Sequence, residues 1–275
     1  MRVILATPQY PPEVGGPATY TTELVTRLRG AHEVFVVTFA DDVQPLSGAQ
    51  FFIISKRQPL PVRLVKYFFA LLRVARGADI IYAQNAMAAG FPAMLVGKLL
   101  RKPVILKFVG DEAWERASQL RRTTKQLEDF LRSPEGGVGV RLKMLIQGFV
   151  LRHVSMVTTP SAYLSELLIT YYGVKRSRAN VNYNAVDEVP HMGSLVPRTA
   201  HQIMTGVRLV PRKGVAGIIR ATALLKEKFP DVRLVVAGDG PEQKNLEELA
   251  RSLGVEKSVD FLGRVLREQV LKIQT

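Results

Sequence analysis

The sequence predicts a doubly wound α/β chain with two parallel sheets, and three observations carry that expectation. Short β-branched runs alternate with longer stretches of helical periodicity. The alternation breaks once, at 188–200 (EVPHMGSLVPRTA), where two prolines and a glycine read as a linker, and then restarts. Glycine-containing turns follow several strands, at the sheet edge where open α/β sheets bind ligands.

Val3–Ala6 reads as a buried strand, and 18–29 as a helix with Tyr20, Leu24, Val25 and Leu28 on one face. Strands are expected at 33–39, 50–54, 79–84, 103–109 and 155–160, and helices at 60–77, 88–101, 138–152 and 161–173. Ser161 suits the cap of the last helix and Gly173 its end. Residues 113–132 are polar and charged, and RANVNYN (178–184) closes the first half. After the linker come a strand at 203–207, a helix at 214–228, a strand at 232–238, a helix at 241–253, a strand at 259–263 and a helix from 265. This divides the chain into domains at 1–190 and 200–275. The second is shorter than the roughly 100–150 residues usual for a domain and reads as incomplete.

At 275 residues and 47% hydrophobic, the chain can bury a sizeable core. It has no cysteine, so disulfides and thiolate metal sites are excluded; this fits a cytoplasmic, reducing setting. The opening MRVILAT is too short for a secretory leader, and no apolar run is long enough to predict a membrane span. The net charge of +14 suits nucleic acid, an anionic membrane face or a phosphorylated ligand, and equally a solvated basic surface.

Chemistry is expected at three turns. In YPPEVGGPATY, Gly15 and Gly16 follow the first strand and precede a helix starting near Pro17, a residue favoured at the first helical position. Such a pair permits positive φ and close approach to a ligand, and the helix start would face an anion; an ordinary flexible turn is the alternative. In RLVPRKGV, Arg208, Arg212 and Lys213 stand between a strand and a helix, a placement that suits a diphosphate. In VVAGDGPE, Gly238 and Gly240 again permit close backbone approach. Neither a G-x-G-x-x-G fingerprint nor a P-loop is present, which weighs against a dinucleotide oxidoreductase and a nucleotide triphosphatase.

YPPEVGGPATYTTEL, HEVFVVT, SAYLSELLITYYGV with NAVD, RLVPRKGV, LVVAGDGPE and VDFLGRV occur in that order over nearly the whole chain. In this the chain resembles the retaining, nucleotide-sugar-dependent glycosyltransferases of family GT4 (group 1), which have the GT-B fold of two Rossmann-like domains. The resemblance implies an acceptor-side first domain and a nucleotide-sugar-binding second domain. It places Gly15 and Gly16 near the donor diphosphate and acceptor at the interdomain cleft. Arg208 and Lys213 match the basic pair holding the diphosphate, and Arg212 sits where the family varies. Gly238 and Gly240 flank Asp239 under the nucleotide, and Arg264 lies where the base is often contacted. Asn184 and Asp187 match a hinge motif, with Ala185 and Tyr183 replacing its glycine and proline.

The implied reaction moves a sugar from a nucleotide-diphosphate donor to a sugar, polysaccharide-precursor or lipid-linked acceptor, with no metal or other cofactor. Val109 stands where many relatives have a histidine. Asp111 and Glu112 remain to receive or orient an acceptor hydroxyl, with a helix N-cap as the alternative for Asp111. Asn85 is an acceptor-side candidate, and Trp114 suits either sugar stacking or core packing. His32, His153, His191 and His201 have no metal spacing. The family's second domain continues to a pair of glutamates that hold the donor's ribose and sugar. These are not among the 275 residues, so an inactive or partner-dependent truncated relative is a competing expectation. No nucleic acid partner is expected, because the basic residues are dispersed; a basic nucleic-acid-binding protein is the remaining alternative. Lys66, Arg73 and Arg76, set among Val65, Phe68, Phe69, Leu71 and Leu72, suit peripheral contact with the inner face of an anionic membrane, or a core helix with snorkelling cations.

Overall fold

The computed structural model describes residues 1–13, 15–185, 201–265 and 269. The chain divides into two units, Met1–Asn184 and Ala185–Thr275. The expected linker at 188–200 lies outside the described residues, and so does almost all of the helix expected from 265.

The first unit is one parallel sheet of seven strands: β1 (Arg2–Thr7), β2 (Glu33–Phe39), β3 (Ala49–Ile54), β4 (Ile80–Gln84), β5 (Val104–Lys107), β6 (Met156–Thr159) and β7 (Ala179–Val181). Their order is β3-β2-β1-β4-β5-β6-β7. The chain winds outward from β1 in one direction and then restarts at β4 in the other. The carboxyl ends of β1 and β4 therefore form the switch point, where such sheets hold ligands.

The helices are α1 (Gly16–Leu28), α2 (Leu60–Ala75), α3 (Phe91–Leu100), α4 (Glu112–Gln119), α5 (Leu127–Arg132), α6 (Val138–His153) and α7 (Ala162–Tyr172). Strand alternation sorts the apolar side chains into two layers. Ile4, Ala6, Ile81, Ala83, Leu106 and Val157 face one way, into a core shared with α2, α3, α6 and α7. Val3, Leu5, Val34 and Val36 face the other way and pack with Val25 of α1. Both faces are covered, which is why these strands read as continuous apolar runs.

Some elements depart from expectation. α1 begins at Gly16, so Pro17 is its second residue. The helix expected over 88–101 is a π-helical turn, Ala86–Gly90, followed by α3. The polar stretch 113–132 folds as α4 and α5, anchored by an Asp111 N-cap and by the Trp114 ring packed on the core, its Nε1 donating to Lys125 O at 2.9 Å. Ser161 caps α7, and Gly173 ends it in the left-handed region at φ 67°.

The second unit holds β8 (Gln202–Gly206), α8 (Val215–Lys228), β9 (Arg233–Ala237), α9 (Gln243–Ser252) and β10 (Val259–Gly263), with the parallel order β10-β9-β8. Leu209, Ile219, Leu234, Val236, Leu246 and Val259 form its core.

Candidate functional sites at the carboxyl edges

In the second unit the loops after β8, β9 and β10 are laced backbone to backbone. Val207 N donates to Ala237 O (2.9 Å), Leu209 N to Asp239 O (2.8 Å), Glu242 N to Leu209 O (3.2 Å) and Gly238 N to Gly263 O (2.8 Å). Gly238 (φ 140°) and Gly240 (φ 157°) make this possible: a Cβ at Gly238 would stand 1.9 Å from Val207 O, and one at Gly240 2.3 Å from Leu209 O. These two glycines are required by contact with the neighbouring loop.

Pro211–Lys213 forms a 3-10 turn, and Gly214 (φ 68°) hands the chain to α8. α8 has no side-chain cap and no acidic residue in its first turn; Gly217 N and Ile218 N turn back to Gly214 O (2.9 and 3.3 Å), which leaves the N–H groups of Val215 and Ala216 at the open start. Arg208 and Lys213 beside it are exposed and have no partner among the described residues. An uncapped helix start flanked by two cations is the kind of environment that favours an anion. Arg264 directly follows β10, so it belongs to the same carboxyl edge.

In the first unit the loop after β1 is fastened at two points. Tyr10 is buried against Phe51, ring centres 5.0 Å apart, and Lys56 Nζ meets Glu13 Oε2 at 2.5 Å. Gly15 is extended (φ 172°), and Gly16 opens α1. Neither glycine uses a left-handed backbone, contrary to the expectation from sequence. α1 also starts without a side-chain cap.

At the other side of the switch point, Asn85 (φ 70°) ends β4, and its Oδ1 accepts from Ala89 N at 3.1 Å. Glu112 accepts from Ala86 N (3.0 Å) and Met87 N (3.1 Å). Burial holds its carboxyl above the ordinary glutamate range despite those two donors. Asn85 and Glu112 thus both cap the π-helical turn.

Asp111 is 1% exposed. It accepts from Trp114 N (2.8 Å), Gln147 Nε2 (2.8 Å) and the Tyr172 hydroxyl. Gln147 Oε1 in turn accepts from Glu112 N at 3.1 Å. Of the two readings open for Asp111, this geometry is that of the N-cap. Its carboxylate sits inside a buried network that binds α4 to α6 and α7. Val109 is 51% exposed on the same loop.

Sequence reasoning missed Lys107. It ends β5 and is 6% exposed; Nζ donates to Asn184 Oδ1 at 2.8 Å and lies 3.5 Å from the centre of the Tyr20 ring. A lone lysine inside the apolar run PVILKFV was the available signal. Among the described residues no His/Asp/Glu cluster could hold a metal. His153 ends α6, His201 meets Asp231 Oδ1 at 2.8 Å, and His191 lies outside the described residues.

The chain is similar to known proteins along nearly its whole length. Alpha-monoglucosyldiacylglycerol synthase of Streptococcus pneumoniae is 26% identical over 96% of this chain and 62% of its own length. The GDP-mannose-dependent alpha-(1-6)-phosphatidylinositol monomannoside mannosyltransferase of Mycobacterium tuberculosis is 23% identical over 98% of this chain and 69% of its own. The chain thus spans roughly three-fifths to two-thirds of these relatives. Among solved structures, Anabaena HepE in complex with UDP superposes with a TM-score of 0.69 at 19% identity, over 99% of this chain and 71% of that one. WaaG, a glycosyltransferase involved in lipopolysaccharide biosynthesis, gives 0.68 at 15% identity, over 99% and 72%. The fold is GT-B. Residues 15–185 match the glycosyl transferase 4-like domain and residues 194–275 the glycosyl transferases group 1 domain, and the chain belongs to that GT4, group 1 glycosyltransferase family.

Proposed function

We propose that the protein transfers a sugar, with retention at the anomeric carbon, from a nucleotide-diphosphate donor to a glycan or lipid-linked acceptor. The observation that carries this reading is the start of α8, uncapped, glycine-laced and flanked by the free cations Arg208 and Lys213. As the bond from the anomeric carbon to the β-phosphate oxygen breaks, negative charge grows on the departing diphosphate. Two cations and aligned N–H groups meet that charge without reorganising. Gly238 and Gly240 bring the neighbouring loop under the nucleotide, and Arg264 reaches toward its base.

The first unit supplies the acceptor side through Gly15, Gly16 and Asn85. Asp111 and Glu112 act there by holding the loop and the π-helical turn in place, since both carboxylates are occupied by donors. The acceptor proton then passes to the departing diphosphate oxygen, the base left in the site. No metal is needed in this scheme, because fixed cations do the work of charge neutralisation. The lipids in the names of the pneumococcal and mycobacterial relatives favour a lipid acceptor. In this reading the enzyme works from the cytoplasm at the inner face of a membrane.

The test is calorimetric titration of the full chain with UDP-glucose and GDP-mannose, followed by transfer to lipid acceptors and NMR of the product anomer. Saturable binding of one donor, lost in the Arg208→Ala/Lys213→Ala double variant, is expected. Absence of binding to any nucleotide sugar makes the chain an inactive relative, and an inverted product removes the retaining scheme.

A further inference from the structure

The face of the first sheet that α1 covers changes character at its carboxyl end. Along β1, β2 and β4 the residues turned that way are Val3 and Leu5, Val34 and Val36, and Ile80 and Tyr82. The next residue with the same orientation is polar on each strand: Thr7, Thr38 and Gln84. Register extends the row, pairing Gln84 with Lys107 of β5 and Lys107 with Thr158 of β6. Five adjacent strands thus end in one polar row, and all five side chains are buried.

Buried polar groups need partners. Three of the five find theirs on one short segment of chain. Thr7 Oγ1 donates to Gln9 O at 3.0 Å, and Gln84 Nε2 donates to Thr21 Oγ1 at 2.6 Å. The Lys107 ammonium rests on the Tyr20 ring. Thr21 Oγ1 passes the chain of bonds on to Pro17 O at 2.7 Å, and Tyr82 Oη donates to Tyr20 Oη at 3.3 Å. A Cβ at Gly15 would stand 1.9 Å from Gln9 Nε2, so the Gln9 side chain packs on that glycine. Gly15 and Gly16 therefore lie between two anchored points, Gln9 and the first turns of α1. The helix has no side-chain cap of its own, and its start is fixed from the sheet beneath.

Lys107 is the odd member of the row. A neutral donor would close the row with a smaller desolvation penalty. The ammonium instead makes two directional contacts at once: the ring of Tyr20 on α1, and Oδ1 of Asn184, the last residue of the first unit. It joins the start of α1 to the place where the unit ends.

We infer that Lys107 is a positioning residue for sugar transfer, setting the height and angle of the α1 start through the Tyr20 ring and Asn184 Oδ1. The role rests on the transferase reading above and adds to it the element that holds Gly15 and Gly16 in register with the reaction. It acts on rate and not on donor affinity, because the cations proposed for the donor diphosphate, Arg208 and Lys213, belong to the other unit. A misplacement of about 1 Å in such a support can lower a rate on the order of 100-fold.

The experiment measures steady-state release of nucleoside diphosphate from UDP-glucose and from GDP-mannose, with detergent-dispersed diacylglycerol and with water alone as acceptor. Calorimetric donor binding and urea unfolding are run on the same preparations of the full chain. Lys107→Met and Tyr20→Leu should each lower kcat at least about tenfold and leave the donor Kd within about twofold. The double variant should fall no more than about threefold below the slower single variant, because the two side chains act as one contact. Tyr20→Phe keeps the ring face, and its kcat should return to within about threefold of the parent.

Unchanged kcat in Lys107→Met, additive losses in the double variant, or Tyr20→Phe as slow as Tyr20→Leu overturns the inference. So does a donor Kd that weakens in step with kcat. A rate that falls only as folded protein is lost in the urea titration also overturns it, and marks a structural link. Donor turnover by the parent with unaltered variants removes this role and leaves the transferase reading standing. A parent chain that binds and turns over neither donor removes both.

Discussion

The Lys107 ammonium lies 3.5 Å from the centre of the Tyr20 ring, joining the end of β5 to α1. Its other contact is Asn184 Oδ1 at 2.8 Å, and no carboxylate among the described residues pairs with it. A buried cation satisfied only by an amide oxygen and a ring face keeps an electrostatic demand that an anionic substrate group would meet. Lys107→Met should leave the unfolding free energy from urea titration within about 1 kcal/mol of the parent, because the desolvation cost of the buried charge goes with its contacts. Sugar transfer should fall at least tenfold. Transfer at the parental rate would make Lys107 a purely structural link.

Gly238→Ala should destabilise the second unit by about 3 kcal/mol, because the new Cβ meets the Val207 carbonyl and the backbone lies outside the range of L residues. Gly214→Ala, where the added Cβ meets open space, should cost only about 1 kcal/mol from its φ of 68°. Urea denaturation of the two variants, side by side, checks the ranking. Equal losses would place the cost in backbone conformation alone.

Asp111→Ala strips three donors of one acceptor: Trp114 N, Gln147 Nε2 and the Tyr172 hydroxyl. A loss of about 3 kcal/mol or more is expected, from buried groups left unsatisfied and a helix left uncapped. Asp111→Asn keeps an acceptor for Trp114 N and should cost less. Thermal melts of the pair distinguish a cap from a proton acceptor, since a base used only in turnover would leave both variants fully stable.

Glu112 gives a pH dependence with a definite sign. Burial raises its carboxyl above the ordinary range, so the folded chain holds that proton more tightly than the unfolded chain. Its contribution to stability is present below the ordinary glutamate pKa and is lost as the pH rises through the folded value. Glu112→Gln keeps an oxygen for Ala86 N and Met87 N and removes the buried charge. The variant should be more stable than the parent at pH 7, with the gain vanishing near about pH 4. Denaturation midpoints across that range report it; a gain that grows on acidification would contradict the assignment.

Most strands were legible because parallel strands covered on both faces read as apolar runs; nine of the ten strands among the described residues fall at or within two residues of the expected ones, and the exposed β7 was not expected. The turns RLVPRKGV and VVAGDGPE were also legible, since Gly238 and Gly240 answer to a local steric need. What was not legible depends on distant partners. The π-helical turn has no periodic signature and is held by Glu112 from another loop. Lys107 finds Asn184 77 residues away. α4 and α5 looked merely polar because their anchors are the Asp111 cap and the single Trp114 ring. At Gly15 and Gly16 local reasoning misled: glycine suggested a left-handed turn, and the chain uses an extended residue followed by a helix start.

The lacing of the loops after β8, β9 and β10 has a consequence for how this protein changes over generations. Val207, Leu209, Asp239, Gly238 and Gly263 hold one another through main-chain atoms, which nearly every side chain leaves intact. Mutation can therefore sample new side chains at an exposed position such as Arg212 without loosening the platform that carries it. Drift in ligand preference is separated from drift in foldability. The two glycines are the fixed points of that platform, and the residues around them are where a lineage is free to experiment.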